Sequence, residues 1–117
     1  MDVFKVSHDL VLETYKITNK FPEDEKYRII SQMIRAAYSI PSNLIEGNSR
    51  NTTKEYLNFL FIARASLQEL KYFYLLSKDL KYITKDEYIK IKEQCNKVGM
   101  MLNKVISFLK STLPKTK

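Results

Sequence analysis

The sequence predicts an all-α protein, an antiparallel up-down four-helix bundle whose second helix is kinked at a proline. Three observations predict it. The chain holds only two glycines and three prolines in 117 residues, too few to turn every ten or so positions as a sandwich or barrel must. Two Thr-x-x-Glu boxes, Thr52 to Glu55 and Thr84 to Glu87, each stand before a long apolar-periodic run, which is the signature of a capped helix start. From Tyr88 onward, apolar residues recur three and four apart through Ile91, Cys95, Val98, Leu102, Val105 and Leu109. That register belongs to a helix packed at a shallow angle in a bundle.

The first helix is expected over residues 3–19, with Asp2 as N-cap, Phe4, Val11 and Tyr15 on one stripe, and Leu10, Ile17 and Phe21 beside it. Phe21-Pro22 closes the joint, because a residue before proline is pushed out of the helical region. The second helix is expected over 23–48, opening with Pro22 and the acidic Glu23, Asp24 and Glu25, which complement the positive end of the helix dipole. Tyr27, Ile30, Ile34, Ala37 and Leu44 share one face of it. Pro41 removes the bond to the Ala37 carbonyl and should kink or split it. Gly47 and the polar run Asn48-Ser49-Arg50-Asn51 end it.

The third helix is expected over 53–80. It is apolar nearly all round: Tyr56, Phe59, Ala63, Ser66, Leu70 and Phe73 form a stripe, Leu60, Leu67 and Tyr74 widen it, and Leu57, Phe61, Ile62, Leu75 and Leu76 reach other faces. A bundle helix buries an arc of about 100° or a little more, so the surplus predicts self-association. The fourth helix is expected over 85–110, with residues 110–117 as a basic tail. Its short joint to helix three makes the two antiparallel neighbours. The whole chain, residues 1–117, reads as one domain.

Charge narrows the function. Residues 1–51 carry seven basic and seven acidic side chains, and residues 52–117 carry thirteen and six, so the net charge of +7 lies entirely in the second half. That asymmetry suits a polyanion such as RNA or DNA. Lys90, Lys97 and Lys104 recur every seven positions on the outside of helix four, with Lys85, Lys92 and Lys110 close by and Lys115 and Lys117 beyond. Such a stripe can track phosphates without reading sequence, although it lacks interleaved surface aromatics and is also what an ordinary solvated face looks like. Catalysis has little to draw on. His8 is the only histidine and Cys95 the only cysteine, and two glycines cannot build a phosphate-cradling loop. No enzymatic activity, cofactor or metal is expected. The unpaired cysteine, with no export signal and no membrane-length apolar run, suits the cytoplasm. Glu46 and Glu69 sit among apolar residues and are expected to pair with Arg35 or Arg64.

The run Gln32-Met33-Ile34-Arg35-Ala36-Ala37-Tyr38-Ser39-Ile40-Pro41-Ser42-Asn43-Leu44-Ile45-Glu46-Gly47 resembles the small four-helix-bundle proteins of intervening sequences in bacterial 23S rRNA genes. Phe21-Pro22-x-x-Glu25, Arg50, Phe59-Leu60, Ala65-Ser66-Leu67-x-Glu69-Leu70 and Leu102-Asn103-x-x-Ile106 extend the resemblance over nearly the whole chain. Leu44, Ile45 and Ala65 are minor departures from the family pattern. The resemblance implies an antiparallel bundle, commonly a homopentameric ring, without enzymatic activity. The chain is also similar to the basic pentameric accessory protein of diversity-generating retroelements, which works with a reverse transcriptase and nucleic acid. Arg35, Asn43, Glu46, Gly47, Arg50 and Glu69 carry the signature, and its physical roles are structural: Ala36 and Ala37 permit close helix approach, Pro41 sets a kink, Asn43 bonds carbonyls that the kink frees, and Arg35, Glu46 and Arg50 form a polar network between helices. A basic self-assembling bundle that binds RNA or DNA is therefore expected first, and a scaffold docking a partner protein on an apolar helix surface second.

Overall fold

The computed structural model describes residues 2–114. It contains four α-helices, α1 (Val3–Thr18), α2 (Ser31–Asn48), α3 (Thr53–Asp79) and α4 (Lys85–Thr112), and no strand among the described residues. The predicted caps form. Asp2 accepts from the Lys5 N–H at 2.8 Å, Thr52 from the Glu55 N–H at 3.1 Å, and Thr84 with Glu87 makes a reciprocal capping box. Each satisfies N–H groups that a helix start leaves without partners. Residues 110–112 belong to α4 rather than to a tail, and Lys115 and Lys117 lie outside the described residues.

The second element differs from the expectation. It enters through a tight turn at Glu23–Glu25 and a wide turn at Lys26–Ile30, and regular α-helix begins only at Ser31. The departure from helical geometry falls at Arg28 (φ −116°, ψ −109°), while α2 keeps its helical assignment through the buried Pro41. Asn43 was expected to serve the carbonyls that a kink frees. Its Nδ2 instead donates to the Ser39 carbonyl at 2.7 Å and to Ser39 Oγ at 3.0 Å.

All four adjacent pairs run antiparallel, because residue numbers fall on one helix as they rise on its neighbour. Between α2 and α3, Met33 meets Ser77, Ser39 meets Ser66, and Gly47 meets Tyr56 and Phe59. Between α3 and α4, Lys78 lies over Tyr88, Leu67 beside Gly99, and Arg64 on Asn103. Lys20 at the end of α1 pairs with Glu87 at the start of α4. Tyr15 and Thr18 share a groove with Ile30 and Ile34, and Phe4 shares one with Leu44 and Ile45. Across the diagonal, the buried Tyr74 hydroxyl meets Thr14 Oγ1 at 2.6 Å, and Thr14 gives its own proton to the Leu10 carbonyl at 2.8 Å. Tyr74 therefore donates, and burial raises its phenol above the ordinary range. No buried side-chain N or O among the described residues lacks a partner.

The core faces are rotated from those expected. On α1, Val6, Leu10 and Ile17 are buried and Phe4 and Tyr15 are exposed; on α2, Met33, Ala36, Ala37, Ile40 and Leu44 are buried, and in the turn before it Tyr27 is 85% exposed. On α3 the buried line is Leu57, Leu60, Ala63, Leu67, Leu70 and Tyr74, with Tyr56, Phe59, Ser66 and Phe73 outside it. The α4 seam holds as far as Leu102 and then moves to Ile106, leaving Val105 and Leu109 half-buried. A straight helix turns every 3.6 residues, so a strict seven-residue seam drifts round it by about 20° per heptad.

The joint between α3 and α4 closes with a Schellman motif. Tyr82 N–H donates to the Ser77 carbonyl and Lys81 N–H to the Lys78 carbonyl, both at 2.9 Å. Lys81 takes the left-handed conformation, φ 64°, which costs an L-residue with a Cβ about 1 kcal/mol or more. Lys81→Gly should therefore raise unfolding stability by about 0.5 to 1 kcal/mol, net of the entropy that glycine adds to the unfolded chain. Denaturant titration checks this; a loss of stability would mean that the Lys81 side chain contributes more than its backbone costs.

Candidate nucleic-acid interface

Lys85, Lys90, Lys92, Lys97, Lys104 and Lys110 are all exposed, but they do not form one stripe. Their neighbours divide them. Lys90 lines a groove against α1 with Glu13, Lys16, Lys20, Glu87 and Gln94. Lys90 and Lys97 also follow Asp86 and Glu93 by four residues, the orientation in which an acid offsets a lysine on a helix. This row is charge-balanced for much of its length, and only Lys104 has no acid four residues before it.

Lys92 and Lys110 turn the other way, onto the seam between α3 and α4. There Lys78 Nζ and Lys92 Nζ stand 4.8 and 5.8 Å from the centre of the Tyr88 ring. Lys110 Nζ and the Arg64 guanidinium stand 5.4 and 5.2 Å from the Phe61 ring. Arg64 Nη1 also donates to Asn103 Oδ1 at 3.2 Å. Lys71 lies between the two clusters, where it lines a cavity of about 30 Å³ with Tyr74, Tyr88, Lys92 and Cys95. Positions 61, 64, 68, 71, 75 and 78 of α3 and 85, 88, 92, 96, 99, 103 and 110 of α4 hold six cations and no acid. Asp79, at the end of α3, pairs with Lys78 at 3.6 Å.

Half-buried Tyr88 and Phe61 thus place two aromatic rings within the seam, each carrying cations rather than lying open to solvent. Each ring holds two cations by its quadrupole, worth about 0.5 to 1 kcal/mol per pair at an exposed site. Arg64, Lys71 and Lys78 were not among the candidates that the sequence suggested. Their signal is nonetheless present in it: they recur every seven residues, the interval that also separates Lys85 from Lys92.

Of the signature residues, Gly47 and Arg50 stand against Tyr56 and Phe59 on α3, and Glu46 pairs with Arg50. Gly47 is buried within the last turn of α2 rather than capping it. A Cβ there would lie 2.8 Å from the Tyr56 ring and 2.9 Å from Phe59 Cβ, so close helix approach requires the glycine. The expected ion pairs are rearranged. Glu46 pairs with Arg50 on the next turn at 3.6 Å, Arg50 stacks over Phe59 at 4.7 Å, and Arg64 bonds Asn103 instead of a carboxylate. Arg35 and Glu69 are exposed, and the polar links between α2 and α3 are the Ser39–Ser66 pair at 2.8 Å and the weaker Ser77 hydroxyl to Met33 sulfur bond at 3.6 Å. His8 is exposed and stacks on Phe4.

Residues 1–104 match the family described as 23S rRNA-intervening sequence protein. The fold is similar to the crystal structure of a protein of unknown function from the S23 ribosomal protein family of Bacteroides thetaiotaomicron. The TM-score is 0.80 at 23% identity, covering 89% of this chain and 97% of that one. No curated protein matches the chain.

Cys95, at the floor of the basic seam, is 1% exposed, and burial pushes its thiol up to about 12. At pH 8 that leaves about one thiolate in ten thousand. A disulfide reagent at pH 8 should leave the folded protein unmodified while titrating one thiol after unfolding. Labelling of the native protein at the rate of a free cysteine would show that the α3–α4 seam opens.

Proposed function

The chain belongs to the 23S rRNA-intervening sequence protein family, and from that premise we propose that it is a non-enzymatic, basic, self-assembling bundle that binds RNA or DNA through its phosphates. The observation that carries the reading is the α3–α4 seam, where two helix flanks hold six cations, Asp79 pairs with Lys78 at the end of α3, and four of the cations are held against aromatic rings. Cations placed in this way lose less freedom on meeting a phosphate than free lysines do, and each phosphate neutralised releases a condensed counterion. The similarity to the accessory protein of diversity-generating retroelements points in the same direction. Work in the cytoplasm fits the single unpaired thiol.

Replacing Lys71, Lys78 and Lys92 together with Gln should weaken binding about equally for unrelated sequences. It should also lower the log–log salt slope by roughly 0.7 to 0.9 for each phosphate that the chain no longer neutralises. The matching triple variant of Lys90, Lys97 and Lys104 should change both less, since acids already stand along that row. An unchanged affinity and slope in the first variant, measured by anisotropy across a salt series, would remove the seam from the reading. A scaffold that docks a partner protein would then take its place.

Self-assembly rests on the apolar surface the bundle leaves uncovered. Phe4, Leu12 and Tyr15 on α1 and Tyr38 and Ile45 on α2 are exposed, as are Ile62, Tyr72 and Leu75 on α3. Single exposed apolar residues are ordinary, but contiguous ones mark association surfaces. Light scattering at micromolar concentration should return a multiple of the chain mass, five-fold if the ring implied by the resemblance forms. A monomer mass would refute assembly.

A further inference from the structure

We infer that the α3–α4 seam takes double-helical RNA or DNA rather than an unpaired strand, an inference that rests on the phosphate-binding reading above. Proteins that hold single strands offer open aromatic faces on which bases stack, set in a groove that follows the backbone. The seam offers neither. Tyr88 and Phe61 are half-buried, and each already carries two cations against its ring. The cavity between the helices, about 30 Å³, has room for about one water molecule and not for a base. The hollow of about 320 Å³ between α1 and α4 and that of about 330 Å³ beside α2 lie away from these cations, and the hollow of about 400 Å³ beside Asn103 is lined by Met100, Lys104 and Ser107 and has no aromatic ring for a base to stack on.

What the seam does offer is a straight comb. Arg64, Lys71 and Lys78 recur along a rigid helix at about 10.5 Å, from a rise of 1.5 Å per residue. A duplex presents a charge about every 1.7 Å of its axis against 3.4 Å for one of its strands, so each step of the comb spans about six phosphates on a duplex and about three on one strand. A stiff duplex meets the cations as it stands, whereas a flexible strand must be ordered along them. Gln68 and Asn103, between the cations, add amide groups suited to phosphate and sugar oxygens.

The test uses the full chain and a labelled duplex of about 24 base pairs, made once as RNA and once as DNA, with each separate strand chosen to form no hairpin. Anisotropy is read over a salt series. The duplex should bind at least about ten-fold more tightly than either strand, alike for two unrelated sequences, and the Lys71, Lys78 and Lys92 to Gln variant should lose that preference. Equal or tighter binding of the single strands overturns the duplex inference and leaves phosphate binding standing. A variant that keeps full duplex preference overturns it by moving the duplex off the seam. Absence of binding to every probe at low salt overturns the phosphate-binding reading itself.

Discussion

The close approach of α2 to α3 is the constraint on which the rest of the bundle depends. These two helices share the most extensive interface in the fold, with Gly47 against Tyr56 and Phe59 and Ser39 hydrogen-bonded to Ser66, and with the small residues Ala36, Ala37 and Ala63 buried on the two helices. Helices pack at interaxial distances set by the side chains between them. With methyl groups and hydrogen atoms there, α3 is drawn onto α2. The large residues Leu60, Leu67, Leu70 and Tyr74 are left to fill the centre of the bundle. The other flank of α3 must then accept α4, and that flank carries Arg64, Lys71 and Lys78. The position of the basic seam is thus a consequence of where the small residues lie.

Much of this was legible in the sequence. Helix starts at Thr53 and Lys85 follow from the N-cap threonines Thr52 and Thr84, the second closed into a full box by Glu87, and such caps act within a few residues and need no partner element. The α4 register to Leu102 follows from its apolar period. The faces of α1, α2 and α3 were not legible in the same way, because side-chain bulk is a poor mark of the core here. On α2 the buried face is marked by alanine and glycine, while Tyr38, and Tyr27 in the turn before it, point to water. The turns at residues 23–30 have no sequence signal of their own, because Pro22 and three acids announce a helix start without specifying how the first turns wind.

The candidate site was half legible for a related reason. The lysines of α4 are visible in the sequence, but which flank each occupies depends on which helices lie to either side. Only packing shows that Lys92 lines a cavity with Lys71 and Tyr74 of α3 and that Lys110 reaches Phe61, while Lys90 joins α1. The same holds for Tyr88 and Phe61. In sequence they are apolar residues; Arg64 and Lys92 reach them from three and four residues along their own helices, and only packing shows that Lys110 and Lys78 reach them from the neighbouring helix.

The ring and ion-pair links at one end of the molecule bear on how it comes apart. The Tyr82 hydroxyl donates to Glu25 at 2.6 Å, the Phe21 and Tyr82 rings lie 5.2 Å apart, and Lys20 pairs with Glu87. These links tie the joint between α1 and α2 to the joint between α3 and α4. The opposite end holds the first turn of α1, the last turn of α4 and the single joint Ser49–Thr52. In a bundle 52 Å long, local opening costs least where the fewest groups must separate. Amide protons should therefore exchange in a gradient along the long axis, with the two tied joints opening as one cooperative unit and the far end fraying independently of them.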